Sequence, residues 1–386
     1  MSNAVLKRLG DLINFKRGYD LPENKRRKGQ YPVISSAGIT GYHDEYMAEG
    51  KGVVTGRYGT LGEMYYIDGK YWPHNTALYV TTFKENDPKF IYYLLRCLGR
   101  IHTSDKSAVP GVNRNELHEM SVPVIEDRNQ QIKIASILST IDEKIDCNIR
   151  TNIEMGSMAK MLYEYWFVQF NFPNSNGTPY KTSGGAMVYN KELKRDIPAG
   201  WHEGSLWDIA NFYNGLAMQK HRPIDDKFLP VIKIREMSDG ISENTEKASA
   251  YVPETAIVLD GDVLFSWSAT LAVKIWSQGK GALNQHIFKV TSNKFPKTFF
   301  YFELLAYLAH FKMMAERRKT TMGHITQDHL KQSRICIPPI ELLHKAHDMI
   351  NPMLEKQLLL EKENQKLVQL REWLLPMLMN GQVAVS

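Results

Sequence analysis

The sequence predicts an α+β chain: two similar mixed α/β modules separated by a pair of long antiparallel coiled-coil helices, a pseudo-two-fold internal repeat. Two observations carry this expectation. The string Leu9-Gly10-Asp11-Leu12 returns as Leu206-Trp207-Asp208-Ile209, and Phe15 and Gly18 are answered at the same spacing by Phe212 and Gly215. Each copy is then followed by a long stretch whose apolar residues fall at heptad spacing.

The first module, residues 1–125, carries short β-branched and aromatic runs punctuated by glycines. Tyr31–Ser35, Gly52–Thr55, Glu63–Ile67 and Ala77–Thr82 are expected strands. Asp87 offers an N-cap and Pro88 a first helical position for the helix that follows. Residues 126–172 change period. Ile134, Leu138, Ile141, Ile145, Asn148, Asn152, Met155, Ala159, Leu162 and Trp166 alternate steps of four and three, which keeps one seam facing a partner helix. Asn148 and Asn152 interrupt that apolar seam, and they are expected to meet polar groups across it, fixing register at some cost in stability.

Residues 173–197 are rich in turn formers with little to bury and are expected to form a linker. The second module, residues 198–339, opens near Ile197-Pro198-Ala199-Gly200-Trp201 and repeats the helix as Pro296–Ala315. Residues 340–386 form the second long helix, with Met353, Leu360, Leu367 and Leu374 at steps of seven and Asn364 interleaved. At about 1.5 Å per residue, helices of about 40 residues span roughly 60 Å.

The correspondence continues along the copies. Pro32-Val33-Ile34 is echoed by Pro230-Val231-Ile232, and Gly59-Thr60-Leu61 by Ala269-Thr270-Leu271. Gly111 ahead of Leu117 and Pro123 is matched by Gly323 ahead of Leu330 and Pro338. A duplicated module suits a partner with two similar, non-identical sites, and DNA with a split recognition sequence is such a partner. The net charge of +6 permits that contact without requiring it.

Three scattered cysteines, Cys97, Cys147 and Cys336, suggest neither a disulfide framework nor a zinc site, so a reducing cytoplasm is expected. His102, His310, His324 and His329 show no metal-ligand spacing either. The first residues lack a signal-peptide core, and the most apolar helical run, Phe299 to Met314, carries Glu303, His310 and Lys312. No membrane partner is therefore expected.

With these features the chain resembles the specificity (S) subunit of type I restriction-modification systems over essentially its whole length. The resemblance is carried by Ile197-Pro198-Ala199-Gly200-Trp201, by Gln130-Gln131-Ile132 to Ile141-Asp142, and by the terminal run from Leu370-Arg371-Glu372-Trp373 to Gly381-Gln382-Val383. It implies two target-recognition domains, each reading half of a bipartite sequence in double-stranded DNA, with two helices setting the unread gap. It also implies no chemistry in this chain. Two methyltransferase (M) subunits and two motor-nuclease (R) subunits would be the partners, and S-adenosylmethionine, ATP and Mg would belong to them. The second copy departs at one place: Leu342-Leu343-His344-Lys345 stands where the first has Asp127-Arg128-Asn129-Gln130, so the glutamine is absent and the helix start can differ.

Candidate DNA contacts follow. Lys16 and Arg17 flank the basic run Lys25-Arg26-Arg27-Lys28, which fits either a solvated loop or phosphate contact. Lys106-Ser107 ahead of Gly111 is answered by Arg317-Arg318-Lys319-Thr320 ahead of Gly323, and this recurrence favours DNA contact. Arg57 and Tyr58 sit in Gly56-Arg57-Tyr58-Gly59-Thr60-Leu61-Gly62, which lacks a Walker lysine and is read as a hairpin turn. An arginine there suits a guanine edge, and Trp267 takes its place in the second copy. His74-Asn75 faces Asn284-Gln285; Asn75 and Gln285 fit adenine and structural hydrogen bonding equally well. Arg114, Lys220, Arg222 and Arg235 complete the basic candidates. The aromatic group Tyr163, Tyr165, Trp166, Phe167, Phe170 and Phe172 is expected to close the first helix onto a neighbouring module.

Three functions compete. A non-catalytic DNA-recognition subunit accounts for both repeat and helices. A methyltransferase would need a glycine-rich cofactor loop and an N-P-P-[FY] tetrapeptide, and Asn171-Phe172-Pro173-Asn174 lacks the double proline. A coiled-coil scaffold without nucleic acid explains the helices and leaves the duplicated modules without a purpose.

Overall fold

The computed structural model describes residues 4–57, 63–98, 113–317, 324–383 and 385. The chain divides into two compact units, the first Met1–Asp146 with Lys366–Ser386 and the second Cys147–Gln365.

Unit 1 begins with β1 (Val5–Arg8), the single turn α1 (Leu9–Leu12) and β2 (Asn14–Arg17). β3 (Tyr31–Ser35), β4 (Gly38–His43), β5 (Ala48–Gly56), β6 (Met64–Pro73) and β7 (Ala77–Thr82) follow, then α2 (Pro88–Cys97), α3 (Arg114–Glu119), β8 (Ser121–Val124) and α4 (Arg128–Phe167). One sheet runs β2-β7-β5-β6-β3-β4, and within it β3 lies parallel on β6. β1 pairs with β8 apart from that sheet.

The expected strands Tyr31–Ser35 and Ala77–Thr82 coincide with β3 and β7. Gly52–Thr55 and Glu63–Ile67 are the inner halves of a longer hairpin, whose outer rungs pair opposite charges: Glu49 faces Lys70 and Lys51 faces Asp68. Asp87 caps α2 through its side chain, accepting from Phe90 N at 2.9 Å, and Pro88 takes the first turn. α2 then buries Phe90, Ile91, Leu94 and Leu95 against Phe15, Val53 and Leu78 of the sheet and Ile134 and Leu138 of α4.

In unit 2, β9 (Met187–Asn190) and β10 (Arg195–Pro198) form a hairpin ahead of β11 (His202–Ser205), α5 (Leu206–Ile209), β12 (Asn211–Asn214), β13 (Phe228–Ile232) and α6 (Ile234–Asp239). Six strands come next: β14 (Lys247–Ser249), β15 (Ile257–Val258), β16 (Val263–Ser266), β17 (Ala272–Ile275), β18 (Gly281–Leu283) and β19 (Ile287–Thr291). α7 (Lys297–Arg317), α8 (Gln327–Gln332), β20 (Arg334–Ile337) and α9 (Ile340–Met379) close the order.

The pairings of unit 1 recur here. β11 pairs with β20 as β1 does with β8, the order β12-β19-β16-β17 repeats β2-β7-β5-β6, and β13 lies parallel on β18 as β3 does on β6. The stretch equivalent to β6 is broken into β17 and β18 around Trp276–Lys280, so two four-stranded sheets replace one of six.

Among residues 173–197 only Ile197 is buried, and the stretch nonetheless has regular structure. Pro173 bridges to Pro179, Phe172 stacks on both Tyr180 and Trp201, and β9 and β10 are regular strands. Phe170, Phe172 and Trp201 are buried with Tyr163, Trp166 and Phe167 at the end of α4, so the buried aromatic residues flank this stretch on both sides.

α4 and α9 are 40 residues each and are shared between the units. In unit 1, Arg371 Nη1 donates to Asp142 Oδ1 at 2.5 Å. In unit 2, Asn148 Nδ2 donates to Asn364 Oδ1 and Glu363 Oε2, each at 2.9 Å, and Asn152 Nδ2 to Glu361 Oε1 at 3.4 Å. Within unit 2 the partner number falls as the first rises, so the helices run antiparallel there. Both seam asparagines thus find polar partners. On α9, Leu343, Ala346, Ile350, Leu354, Leu360, Leu375, Leu378 and Met379 are buried, whereas Met353, Leu367 and Leu374 are half-buried. At the start of α4 the buried Gln131 accepts from Asp87 N and donates to Asn86 Oδ1 and Ile125 O. Counted from the helix start, the buried Leu343 is the fourth residue of α9 as Gln131 is of α4.

Candidate nucleic-acid interface

The turn between β6 and β7 in unit 1, residues 74–76, is held by backbone bonds from three other segments. His74 N donates to Ile34 O at 2.8 Å, Arg57 N to Thr76 O at 2.9 Å, Gly18 N to Ala77 O at 3.0 Å and Tyr19 N to Pro73 O at 2.8 Å, while Ala77 N closes the turn on His74 O at 2.9 Å. Unit 2 repeats all five. Asn284 N donates to Ile232 O at 3.1 Å, Trp267 N to His286 O at 3.3 Å, Gly215 N to Ile287 O at 3.1 Å, Leu216 N to Leu283 O at 2.9 Å and Ile287 N to Asn284 O at 3.2 Å.

The recurring glycines have a physical reason in this frame. A Cβ on Gly18 would lie 2.1 Å from His74 O, and one on Gly215 would lie 2.2 Å from Asn284 O. Only a residue without a side chain lets the end of β2 or β12 approach the turn so closely.

The frame fixes which side chains are equivalent, and they differ in chemistry. Arg17 matches Asn214, Arg57 matches Trp267, Asn75 matches Gln285 and Thr76 matches His286. In unit 2, Trp267 Nε1 donates to Asn214 Oδ1 at 2.9 Å, so these two positions project to one side of the frame. In unit 1, Arg17 Nε donates to Asn75 O at 3.3 Å, and Asn75 Nδ2 to Asp20 Oδ1 at 2.5 Å. Burial, then the nearby Arg26 guanidinium, holds the His74 imidazole below its ordinary value.

The remaining candidates fall in different surroundings. Lys16 Nζ donates to the Tyr19 hydroxyl at 3.0 Å. Lys25 and Lys28 are exposed or nearly so, beside the β3–β4 hairpin. Arg26 Nη1 donates to Thr40 O at 3.1 Å, and Arg27 is neutralised by Asp44 at 2.7 Å and Glu45 at 2.6 Å. Arg27 is thus committed to carboxylates, while its neighbours leave positive charge on the loop. Arg114 starts α3, and burial, then the Arg114 and Lys84 charges, holds the His118 imidazole below its ordinary value while it accepts from Phe15 N. Lys220 and Arg222 are exposed around a short 3-10 turn. Arg235 is clamped on the buried Glu236 at 2.7 Å. Gln285 Nε2 donates to His286 Nε2 at 3.3 Å, and Trp267 packs between His286 and His324. Tyr58, Lys106, Ser107, Arg318, Lys319, Thr320 and the side chain of Arg317 lie outside the described residues.

Sequence reasoning missed Asp20, Thr76, Asn214 and His286. Their signal was position: each stands within two residues of the recurring glycine or of the matched His74-Asn75 and Asn284-Gln285 pairs. Among the described residues, no group of three or more His, Cys, Asp or Glu side chains is placed to hold a metal ion, and no helix is long and apolar enough to cross a membrane.

Two modules that build one backbone frame and hang unlike side chains on it define a chain with an internally repeated fold. The chain belongs to the family described as the type I restriction modification DNA specificity domain, whose model matches residues 1–155 and 198–369. It is a specificity subunit, the DNA sequence-recognition component of a type I restriction-modification system. It is 26% identical over 314 residues to the type I restriction enzyme MjaIX specificity subunit of Methanocaldococcus jannaschii, covering 77% of this chain and 69% of that one. It is 22% identical to the HindI specificity subunit of Haemophilus influenzae, covering 77% of each chain. The crystal structure of a type I restriction-modification S subunit from M. genitalium shares the fold, with a TM-score of 0.65 at 17% identity over 98% of this chain and 96% of that one.

Proposed function

We propose that each module reads one half of a bipartite target in double-stranded DNA, and that the two modules are related as a pseudo-two-fold repeat. In this reading residues 1–125 and 198–339 are the target-recognition domains, 173–197 join them, and 126–172 with 340–386 are spacer helices paired as an antiparallel coiled coil that sets the unread gap. The chain contributes recognition and no chemistry. Two methyltransferase subunits and two motor-nuclease subunits complete the cytoplasmic complex and bring S-adenosylmethionine, ATP and Mg with them.

The observation that carries this reading is the five-bond frame present in both units with different side chains on it. A protein that needed only a scaffold would have no use for two copies of a glycine-dependent turn displaying arginine and asparagine in one place and tryptophan, glutamine and histidine in the other. Backbone-positioning contacts have their own source in the exposed lysines, which supply affinity without sequence information. Docking of partner subunits is supported by apolar side chains left exposed on the helices. Ile149, Ile153, Met158 and Met161 line α4 within unit 2, and Leu370 and Trp373 stand out on α9 within unit 1.

The test is selection from a random-sequence DNA library by the chain assembled with its methyltransferase partner. Two short motifs enriched at a fixed separation are expected. One continuous motif, or none, counts against the reading.

A further inference from the structure

The side-chain amides of Asn75 and Gln285 occupy equivalent places on the frame, and each has its nitrogen tied by a neighbour. In unit 1 the tie is Asp20, which accepts from Asn75 Nδ2 at 2.5 Å. The position equivalent to Asp20 in unit 2 is Ala217, which has nothing to accept with. There the tie comes from the other side, from His286, whose Nε2 accepts from Gln285 Nε2 at 3.3 Å. Because an amide nitrogen only donates, His286 Nε2 must be the unprotonated ring nitrogen, which puts the proton on Nδ1. That Nδ1 is buried with no hydrogen-bond partner, so the ring is held by this turn at a cost.

An amide has two N–H donors and one carbonyl acceptor. Spending one N–H on a neighbour leaves one donor and one acceptor side by side, at a fixed orientation. The major-groove edge of adenine presents the complement, the N7 acceptor beside the N6 amino donor, and an amide pairs with it through two hydrogen bonds. A freely rotating amide gains nothing from that match until it is ordered; a tied one is already ordered. Both amides are half-buried rather than fully enclosed, so the unspent edge remains reachable.

We infer that Asn75 and Gln285 each read one adenine, one per half-site, and that Asp20 and His286 are the positioning residues that fix the amide orientation. The two modules order the amide by different means, a carboxylate in one and an imidazole in the other. This inference rests on the bipartite reading proposed above.

The test compares DNA selections by the assembled complex carrying Asn75→Ala, Asp20→Ala, Asp20→Asn, Gln285→Ala, His286→Leu or His286→Gln with the unaltered complex. For the unaltered protein, an adenine in each half-site is expected. Asn75→Ala should lower the preference for adenine at one position of one half-site by roughly tenfold to a hundredfold, with the other half-site unchanged. Asp20→Ala should relax the same position, and Asp20→Asn, which keeps an acceptor, should restore it. Gln285→Ala and His286→Leu should act on the opposite half-site, with rescue by His286→Gln. The untouched half-site reports within the same molecule: an unfolded module loses every position of its half-site, whereas a lost reader loses one. An unchanged motif in the alanine variants, or an equal weakening on all sequences, overturns the inference while the bipartite reading stands. If the unaltered complex selects no bipartite motif, the bipartite reading falls, and this inference with it.

Discussion

The buried Asn148 on α4 donates to the half-buried Asn364 on α9 at 2.9 Å, inside unit 2, with Glu363 Oε2 at the same distance from the same nitrogen. A polar pair in an apolar seam makes one alignment of the two helices better than its neighbours, because a shift of either helix leaves the amides facing carbon. Asn148→Ala is expected to cost about 1–3 kcal/mol, since a buried donor and its contacts are removed together. Urea denaturation followed by circular dichroism measures it, and a midpoint equal to that of the unaltered protein would remove the asparagine from the list of register-setting contacts.

Gly18 and Gly215 allow a prediction specific to one module at a time. A methyl group on either would meet a carbonyl oxygen of the facing turn at 2.1 or 2.2 Å, and the neighbour is backbone, which cannot swing aside. Gly18→Ala should therefore displace residues 74–76, cost roughly 1–3 kcal/mol as overpacking does, and erase the half-site read by unit 1 while sparing the other. Gly215→Ala should do the reverse. DNA selection by each variant checks the pairing of module and half-site, and loss of both half-sites from a single substitution would contradict it.

Much of this arrangement can be read from local pattern. Asp87-Pro88 marks the start of α2 because capping chemistry is local, and the asparagines of α4 mark the seam because heptad arithmetic is local. The recurrence of Phe15-x-x-Gly18 as Phe212-x-x-Gly215 even locates the frame. Its chemistry is another matter. The bond from Asn75 to Asp20 spans 55 residues, and the one from Arg57 N to Thr76 O exists only because β5 and β7 are neighbours in the sheet. Nor does composition separate Arg26 and Arg27, adjacent in the same basic run: only the fold brings Asp44 and Glu45 against one of them.

The Glu303 carboxylate on α7 accepts the Tyr163 hydroxyl at 2.6 Å, and burial pushes it up from 4.5 to about 7, against the lowering influence of that hydrogen bond and of Arg195. Between those two values the folded protein holds a proton that the unfolded chain has released. The fold's advantage is therefore complete below the lower value and is lost as pH rises through about 7, by something on the order of 3 kcal/mol. Glu303→Gln keeps an acceptor for Tyr163 and removes the titration, so the variant should gain on the unaltered protein between pH 5 and pH 8. Denaturation midpoints at the two pH values check this; parallel behaviour of the two proteins would mean that Glu303 stays ionised in the fold.

The helices carry the prediction about the gap. Asp142 pairs with Arg371 in unit 1, and Asn152 with Glu361 in unit 2. Removing Glu143–Ile149 from α4 together with Asn364–Leu370 from α9 takes one heptad from each and returns both pairs to their original register. A deletion confined to one helix would instead break the pairing on one side of the cut, and its outcome would report misalignment rather than length. The double deletion shortens each helix by about 10 Å, which corresponds to roughly three base pairs. Under the proposed function the complex should select the same two half-sites with a gap shorter by about that amount. Should the half-sites themselves change, or the gap keep its length, the helices do not set the spacing, and the contacts that do must be sought in the loops of the modules.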